Sequence, residues 1–393
     1  MSRDTVLANA NVVLDDEIVR ADVHIRDGLI ADVCTTSTSV ASEDFDGDYL
    51  VPGVVELHTD HLEYHFSPRP GVQWDPVPAV LAHDAQMAAA GATTVFDAVR
   101  IGSEGATSND EGAAAAAHRL VDAVMAASDG DMLRADHAIH LRCEVSSADC
   151  ADVFSEFVDN PRIRLASLMD HTPGQRQFAD VDEFKRYYLG KGTVLAENID
   201  AHIAFRRDQS AQFAVRHRQL ISGLAADRGI TLAAHDDATQ EHIDESMSLG
   251  VHISEFPTTV LAAEAATANG LQVVMGAPNI VRGGSQSGNV AAAALLERGF
   301  LHVLSSDYVP SSPLQAVFQL AADHTLDLVD GIKLVSANPA RAVGLDDRGE
   351  IAVGKRADLV RVRAHDLPAT ERHLHGRQVP IVRAVYRAGA RTS

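Results

Sequence analysis

Apolar residues in this chain follow two rhythms. From about residue 51 to 349, short apolar runs of strand length alternate with longer alanine-rich stretches of helical period. The runs are GVVELHTD, TTVFDAV, AIHLRCEV, IRLASLMDH, ITLAAHDD, VHISEFP, LQVVMGAP and LHVLSSDY. Between them stand stretches such as AVLAHDAQMAAAG, GAAAAAHRLVDAVMAAS and NVAAAALLERG. Strands apolar on both faces and separated by helices predict a parallel sheet with helices packed over it. Eight such units predict an α/β fold, a (β/α)8 TIM-type barrel. Residues 1–50 and 350–393 instead carry short strand patterns broken by turns, among them TVLANANVVL, RADVHIRDG, GEIAVGKRADLVRVRA and VPIVRAVYRAG. They predict a small β-sandwich-like domain built from both termini, leaving 51–349 to the barrel.

A doubly wound open sheet would show the same alternation. The polar residues favour the barrel. His58, Asp60, Glu144, His171, His235 and Asp307 all fall at the C-terminal ends of strand runs, the face on which barrel enzymes assemble their sites. In VVELHTDHLEYH, side chains two apart share a strand face, so His58 and Asp60 point together while Thr59 and His61 point away.

Histidine and carboxylate side chains gathered in this way suit divalent metals, which need nitrogen and oxygen ligands and an open position to activate water. Two ions about 3.5–4 Å apart need a bridge. The chain has four lysines, Lys185, Lys191, Lys333 and Lys355, and none lies between His58 and His171. A carboxylated lysine is therefore excluded from that segment, and Glu144 is the expected bridge. His171 and His235 are expected to bind the second ion, and Asp307 to bind the first and take a proton from the bridging water. Zn, Mn or Fe would fit such ligands equally. His61 reads as structural and His140 as core. Asp170, Asp236 and Asp237 adjoin ligand candidates and could orient them from behind.

A second group of residues suits anions. APNIVRGGSQSGN leaves a strand, passes Gly283 and Gly284 and is expected to enter a helix, an arrangement that binds phosphate through backbone N–H groups. Ser285 and Ser287 add hydroxyls there, and Arg282 adds charge. Arg69 in SPRPG, Arg142 two residues before Glu144, and Arg176 in HTPGQRQF are expected to converge on the same pocket, since guanidinium groups match phosphate oxygens in pairs.

Charge and composition narrow the partners. The 393 residues carry a formal net charge of −22 and are 46% apolar. Such acidity argues against nucleic acid and against anionic membrane surfaces. No apolar run approaches the roughly 18 residues of a membrane span, and acids stand where a signal peptide would be apolar, so a cytoplasmic protein is expected. Cys34, Cys143 and Cys150 form no C-x-x-C pair, which leaves neither a disulfide framework nor a thiolate metal site.

Taken together, PGVVELHTDHLEYH, PRPGV, LAHDAQMAAAGATTVFDA, HLRCEV, SLMDHTPGQRQF, SEFPTT and VRGGSQSGN resemble the M-type proteins of the carbon–phosphorus lyase pathway, within the amidohydrolase superfamily. The resemblance runs from about residue 50 to 345. It implies hydrolysis of the triphosphate of a ribose methylphosphonate, a small anionic phosphorylated sugar, to the 5-phosphate and pyrophosphate, in phosphonate catabolism. It also implies two divalent metal ions on His58, Asp60, Glu144, His171, His235 and Asp307. Two features depart from the superfamily pattern. The first strand carries His-x-Asp rather than His-x-His, and the bridging position falls on strand three rather than four. The same ligands would also serve a C–N-cleaving amidohydrolase, such as a cyclic amidase or deaminase. A noncatalytic subunit of a phosphonate-processing assembly is a third reading, and a homo-oligomer is compatible with all three.

Overall fold

The computed structural model describes residues 4–35, 43–69, 71–103, 112–178, 180–191, 194–285, 288–369 and 377–393. All eight apolar runs form strands: Val54–Thr59, Ala92–Ile101, Asp136–Glu144, Ile163–Met169, Thr231–His235, Ile253–Glu255, Gln272–Gly276 and Val303–Ser305. They pair in chain order, each parallel to the next. Thr59 forms a parallel bridge to Asp307 and closes the barrel. The strands are apolar on both faces because both are covered. Val55, Leu57, Phe96, Leu165, Ala233, Ile253, Val274 and Val303 fill the lumen, while the opposite faces pack on the helices.

Closure depends on a buried carboxylate. Glu56 accepts the His58 N–H and the Ser306 N–H, each at 2.7 Å. It thereby satisfies two backbone donors at the seam between strands one and eight, where an unpaired N–H would be costly. Burial raises its pKa to about 7 against these hydrogen bonds. The ladder between strands one and two shifts register between Glu56 and Thr59.

The helix expected at AVLAHDAQMAAAG spans Pro76–Ala89. The Asp75 side chain accepts the Val77 N–H, and proline occupies the first turn, a strong helix start. Strands four and five are joined by a long helical excursion containing Val181–Lys191 and the 30-residue helix Ile199–Arg228. Gly229 ends that helix at φ +65°, a left-handed cap suited to glycine. Beside the barrel, Phe178, Phe184, Tyr188, Ile199 and Ile203 form a small core of the excursion's own.

Residues from both ends of the chain build one mixed sheet. Its strands are Asp4–Val13, Ile18–Arg26, Leu29–Cys34, Glu43–Asp44, Tyr49–Pro52, Leu359–Leu367, Arg377–Arg387 and Ala390–Arg391. Asp48 pairs with Arg361 and Arg363 within it. Asp136, at the start of barrel strand three, meets Arg348, Arg356 and Arg387 and ties the C-terminal segment to the barrel. Among the described residues, no helix is long and apolar enough to cross a membrane.

Candidate metal centre

Barrel strands five, six and eight turn sharply as they reach the mouth. Asp236, Phe256 and Asp307, each one or two residues beyond a strand end, have φ of +59°, +54° and +52°. Left-handed backbone at non-glycine residues costs about 1–3 kcal/mol and persists where the surroundings enforce it. Gly276, at the end of strand seven, makes room for one of them: a Cβ there would stand 3.0 Å from Asp307 Oδ2.

Two donor groups result. His58, Asp60 and Asp307 place ligand atoms within 4.8 Å of one another, and so do His171, His235 and Asp236. The groups adjoin, since the His58 and His235 rings stack at 5.8 Å and the His235 and His171 rings meet edge-on at 5.8 Å. In each histidine Nδ1 is held from behind by a carboxylate. His58 Nδ1 lies 2.7 Å from Glu255 Oε1, His235 Nδ1 2.7 Å from Glu255 Oε2, and His171 Nδ1 2.6 Å from Glu144 Oε2. The Nε2 atoms face the other carboxylates: His58 Nε2 is 3.5 Å from Asp60 Oδ1, and His235 and His171 Nε2 are 3.4 and 3.7 Å from Asp236 Oδ2. Histidine fixed through Nδ1 by a carboxylate and presenting Nε2 is the usual arrangement of a metal ligand and its support.

The donor set fits divalent cations. Asp236 Oδ2 is buried and accepts no hydrogen bond among the described residues, a state expensive for a carboxylate unless a cation meets it. The mouth also carries a surplus of carboxylates. Burial disfavours charge on His58, yet Glu255 outweighs it and lifts the pKa to about 10. His171 rises likewise to about 9, with Glu144 opposing the burial penalty. Burial favours neutral Asp60, but Arg142, at 2.6 Å, holds its carboxyl well below the usual range. Asp307 goes the other way, pushed by burial to about 6.

Several expectations change. Glu144 ends the third barrel strand, and its oxygens are already engaged. Oε1 accepts from the His171 N–H, the Ser146 hydroxyl and Arg206, and Oε2 from His171 Nδ1 and Arg100. In this arrangement Glu144 holds the His171 ring from behind. Asp236 sits with the ligand candidates themselves. Arg176 is buried and turned away, paired with Asp237 and Glu245 and bonded to the His235 carbonyl. Arg69 is exposed in a turn closed onto Val72, and Arg142 reaches the side chain of a ligand candidate, Asp60.

The glycine segment ends one helix before the chain enters the expected one, Ala292–Leu296. Ala277–Arg282 is itself helical, and Gly283, at φ +80°, is its C-cap. The Gly283 N–H donates to the Ile280 carbonyl and the Gly284 N–H to the Asn279 carbonyl, so these donors are spent on the helix end. Arg282 is exposed and donates to the Tyr308 hydroxyl at 3.2 Å. Ser285 follows the cap, and Ser287 lies outside the described residues. His61 lies in the helix His61–Phe66, with Nε2 2.6 Å from the Tyr308 carbonyl. His140 is core: Nδ1 is bonded to the Leu57 carbonyl, and burial lowers its pKa to about 3. Asp170 pairs with Arg218. Glu255, Arg100 and Arg206 escaped the sequence reading. Glu255 closes the run VHISEFP and obeyed the same strand-end rule.

A family model described as "Amidohydrolase family" matches residues 196–392. The alpha-D-ribose 1-methylphosphonate 5-triphosphate diphosphatase of Escherichia coli (strain K12) is 41% identical over 375 residues, covering 94% of this chain and 97% of that protein. Among solved structures, N-isopropylammelide isopropylaminohydrolase from Burkholderia multivorans ATCC 17616 superposes with a TM-score of 0.64 at 18% identity, over 99% of this chain and 97% of that one. Dihydropyrimidinase from Brevibacillus agri NCHU1002 gives 0.56 at 14% identity, over 99% and 95%. At such identities the two structures speak for the fold alone.

Proposed function

This chain belongs to the amidohydrolase family, and we propose that it hydrolyses α-D-ribose 1-methylphosphonate 5-triphosphate to the 5-phosphate and pyrophosphate. The observation that carries the reading is the pair of adjoining donor groups at one barrel mouth. The choice of substrate follows the full-length Escherichia coli relative.

His58, Asp60 and Asp307 would hold one divalent ion, and His171, His235 and Asp236 a second. Such ions supply an activated water and offset charge on the phosphoryl oxygens. The chain's own residues do the rest. Glu255 and Glu144 fix the imidazole rings so that Nε2 points into the mouth. Asp307 would take the proton of the attacking water and return it to the leaving pyrophosphate oxygen. Arg142 locks Asp60 in place, and its remaining Nη donors would serve a phosphoryl oxygen. Water adds to one phosphorus, the phosphoanhydride bond breaks, and pyrophosphate departs.

Phosphorus NMR of the reaction tests the assignment. Equimolar 5-phosphate and pyrophosphate are expected, with no orthophosphate, and Asp307→Asn should lower kcat by about 10²–10⁴. A purified, metal-loaded protein inert towards triphosphates but active on hydantoins, dihydroorotate or purines would replace this reading by C–N hydrolysis.

A further inference from the structure

The two donor groups occupy the floor of the mouth, and above them stand tyrosines that neither the ions nor the proton transfer uses. Tyr64 lies in the helix His61–Phe66, which starts directly after Asp60, and is 60% exposed. Its ring is 5.7 Å from that of His61, which in turn holds the Tyr308 carbonyl beside Asp307. Tyr187 comes from a different element, the helix Val181–Lys191, and is 48% exposed. Its ring lies 5.5 Å from Phe178, and Phe178 lies 6.1 Å from His171. Tyr187 is thus one ring removed from the ligand candidate His171, and Tyr64 stands on the helix capped by the ligand candidate Asp60. They are also within electrostatic reach of each other, and Tyr64 within reach of Asp60 and Asp307. Tyr308, bonded to Arg282, continues the rim.

Large aromatic rings left half-exposed around a polar floor suit a ligand with apolar ring faces and hydroxyl edges. A phosphorylated sugar has two unlike ends. Its polyphosphate needs cations and meets them on the floor, which leaves the furanose ring at the height of the rim. We infer that Tyr64 and Tyr187 form a sugar-binding rim, so that the substrate enters triphosphate first with its ribose packed between the two rings. The inference rests on the proposed triphosphatase reading and adds an orientation to it. It makes the tyrosines determinants of specificity, with no part in the bond-breaking step.

The test compares ligands with and without the sugar, using metal-loaded full-length protein. KM is measured for the ribosyl triphosphate, and the competitive inhibition constant for inorganic tripolyphosphate. In Tyr187→Ala and Tyr64→Ala, KM is expected to rise about tenfold, the size of a lost ring contact. The tripolyphosphate constant should move by less than about twofold, a difference a general loss of structure would not produce. The Phe variants keep the ring and should retain KM within about twofold. Equal weakening of both ligands, no weakening of either, or equal losses in the Phe and Ala variants would overturn the rim. Wild-type protein that ignores tripolyphosphate would overturn the placing of phosphates on the floor. Failure to hydrolyse the ribosyl triphosphate at all would instead remove the functional reading on which the inference rests.

Discussion

At the scale of single residues, Glu255 spans both donor groups from behind the mouth. Its Oε1 faces His58 Nδ1, and its Oε2 faces both His235 Nδ1 and the Ser167 hydroxyl, all at 2.7 Å. One carboxylate thus sets the rings of both donor groups. Glu255→Gln keeps the shape but presents an N–H₂ to one imidazole, whose tautomer or orientation must change. Metal affinity should fall about 10–100-fold, read by competition with a chelator; unchanged affinity would separate Glu255 from the ions. His58, Asp60, His171, His235 and Asp307 were legible because ligand-type residues at strand ends share one end of a barrel. Which way a strand-end carboxylate faces was not legible. Glu144 turns to His171 because Arg206, from a helix more than 60 positions later in the chain, and Ser146 draw Oε1 to that side. Asp236 faces the mouth because its backbone is left-handed. Neither cause has a local signature in sequence.

At the scale of elements, the strands were readable because each is apolar on both faces and short. The helix Ile199–Arg228 was not, because it serves different neighbours along its length. Ile199 and Ile203 pack into the excursion, Arg206 reaches Glu144, and Ile221 and Ala225 reach the barrel shell, so no single apolar stripe runs through it. The glycine pair misled for a related reason: glycine marks left-handed backbone equally at a helix end and at a phosphate loop. The helix Pro76–Ala89 carries a further device. His83 and Asp84 on it, with Asp97 and His137 on strands two and three, are buried together. His137 meets Asp97 through Nδ1 at 2.8 Å and Asp84 through Nε2 at 3.3 Å. Both nitrogens must donate, so the ring is an imidazolium. Burial opposes that charge, but Asp97 and Asp84 raise the pKa to about 10. A raised histidine contributes stability that is complete below its unfolded pKa of about 6.5 and is lost as pH climbs through the folded value. The urea midpoint should therefore fall between pH 7 and 10.5 in the wild type, and fall less in His137→Gln. Asp97→Asn, which leaves a buried cation half-paired, should cost about 3–5 kcal/mol at pH 7. Equal pH slopes in wild type and His137→Gln would show that the imidazolium does not bind this helix to the barrel.

At the scale of the whole molecule, a protein of net charge −22 must admit a substrate carrying several negative charges. The sequence suggested that arginines would reverse the field locally, and the ion pairs argue otherwise. Arg142 is paired with Asp60, Arg176 with Asp237 and Glu245, Arg206 with Glu144 and Arg218 with Asp170. Each of these guanidinium groups is paired with at least one carboxylate, Glu144 serving both Arg100 and Arg206, so bound divalent ions would be the main source of unpaired positive charge at the mouth. Their attraction acts at short range, while the remaining acidic surface repels over the Debye length, about 10 Å at 0.1 M salt and about 30 Å at 0.01 M. Screening should therefore remove more repulsion than attraction. We expect kcat/KM for the triphosphate to rise as sodium chloride is raised from about 10 to 150 mM at saturating metal, through KM and with kcat little changed. A fall over that range would mean that the mouth projects a positive field beyond the ions, and that the paired arginines steer the substrate after all.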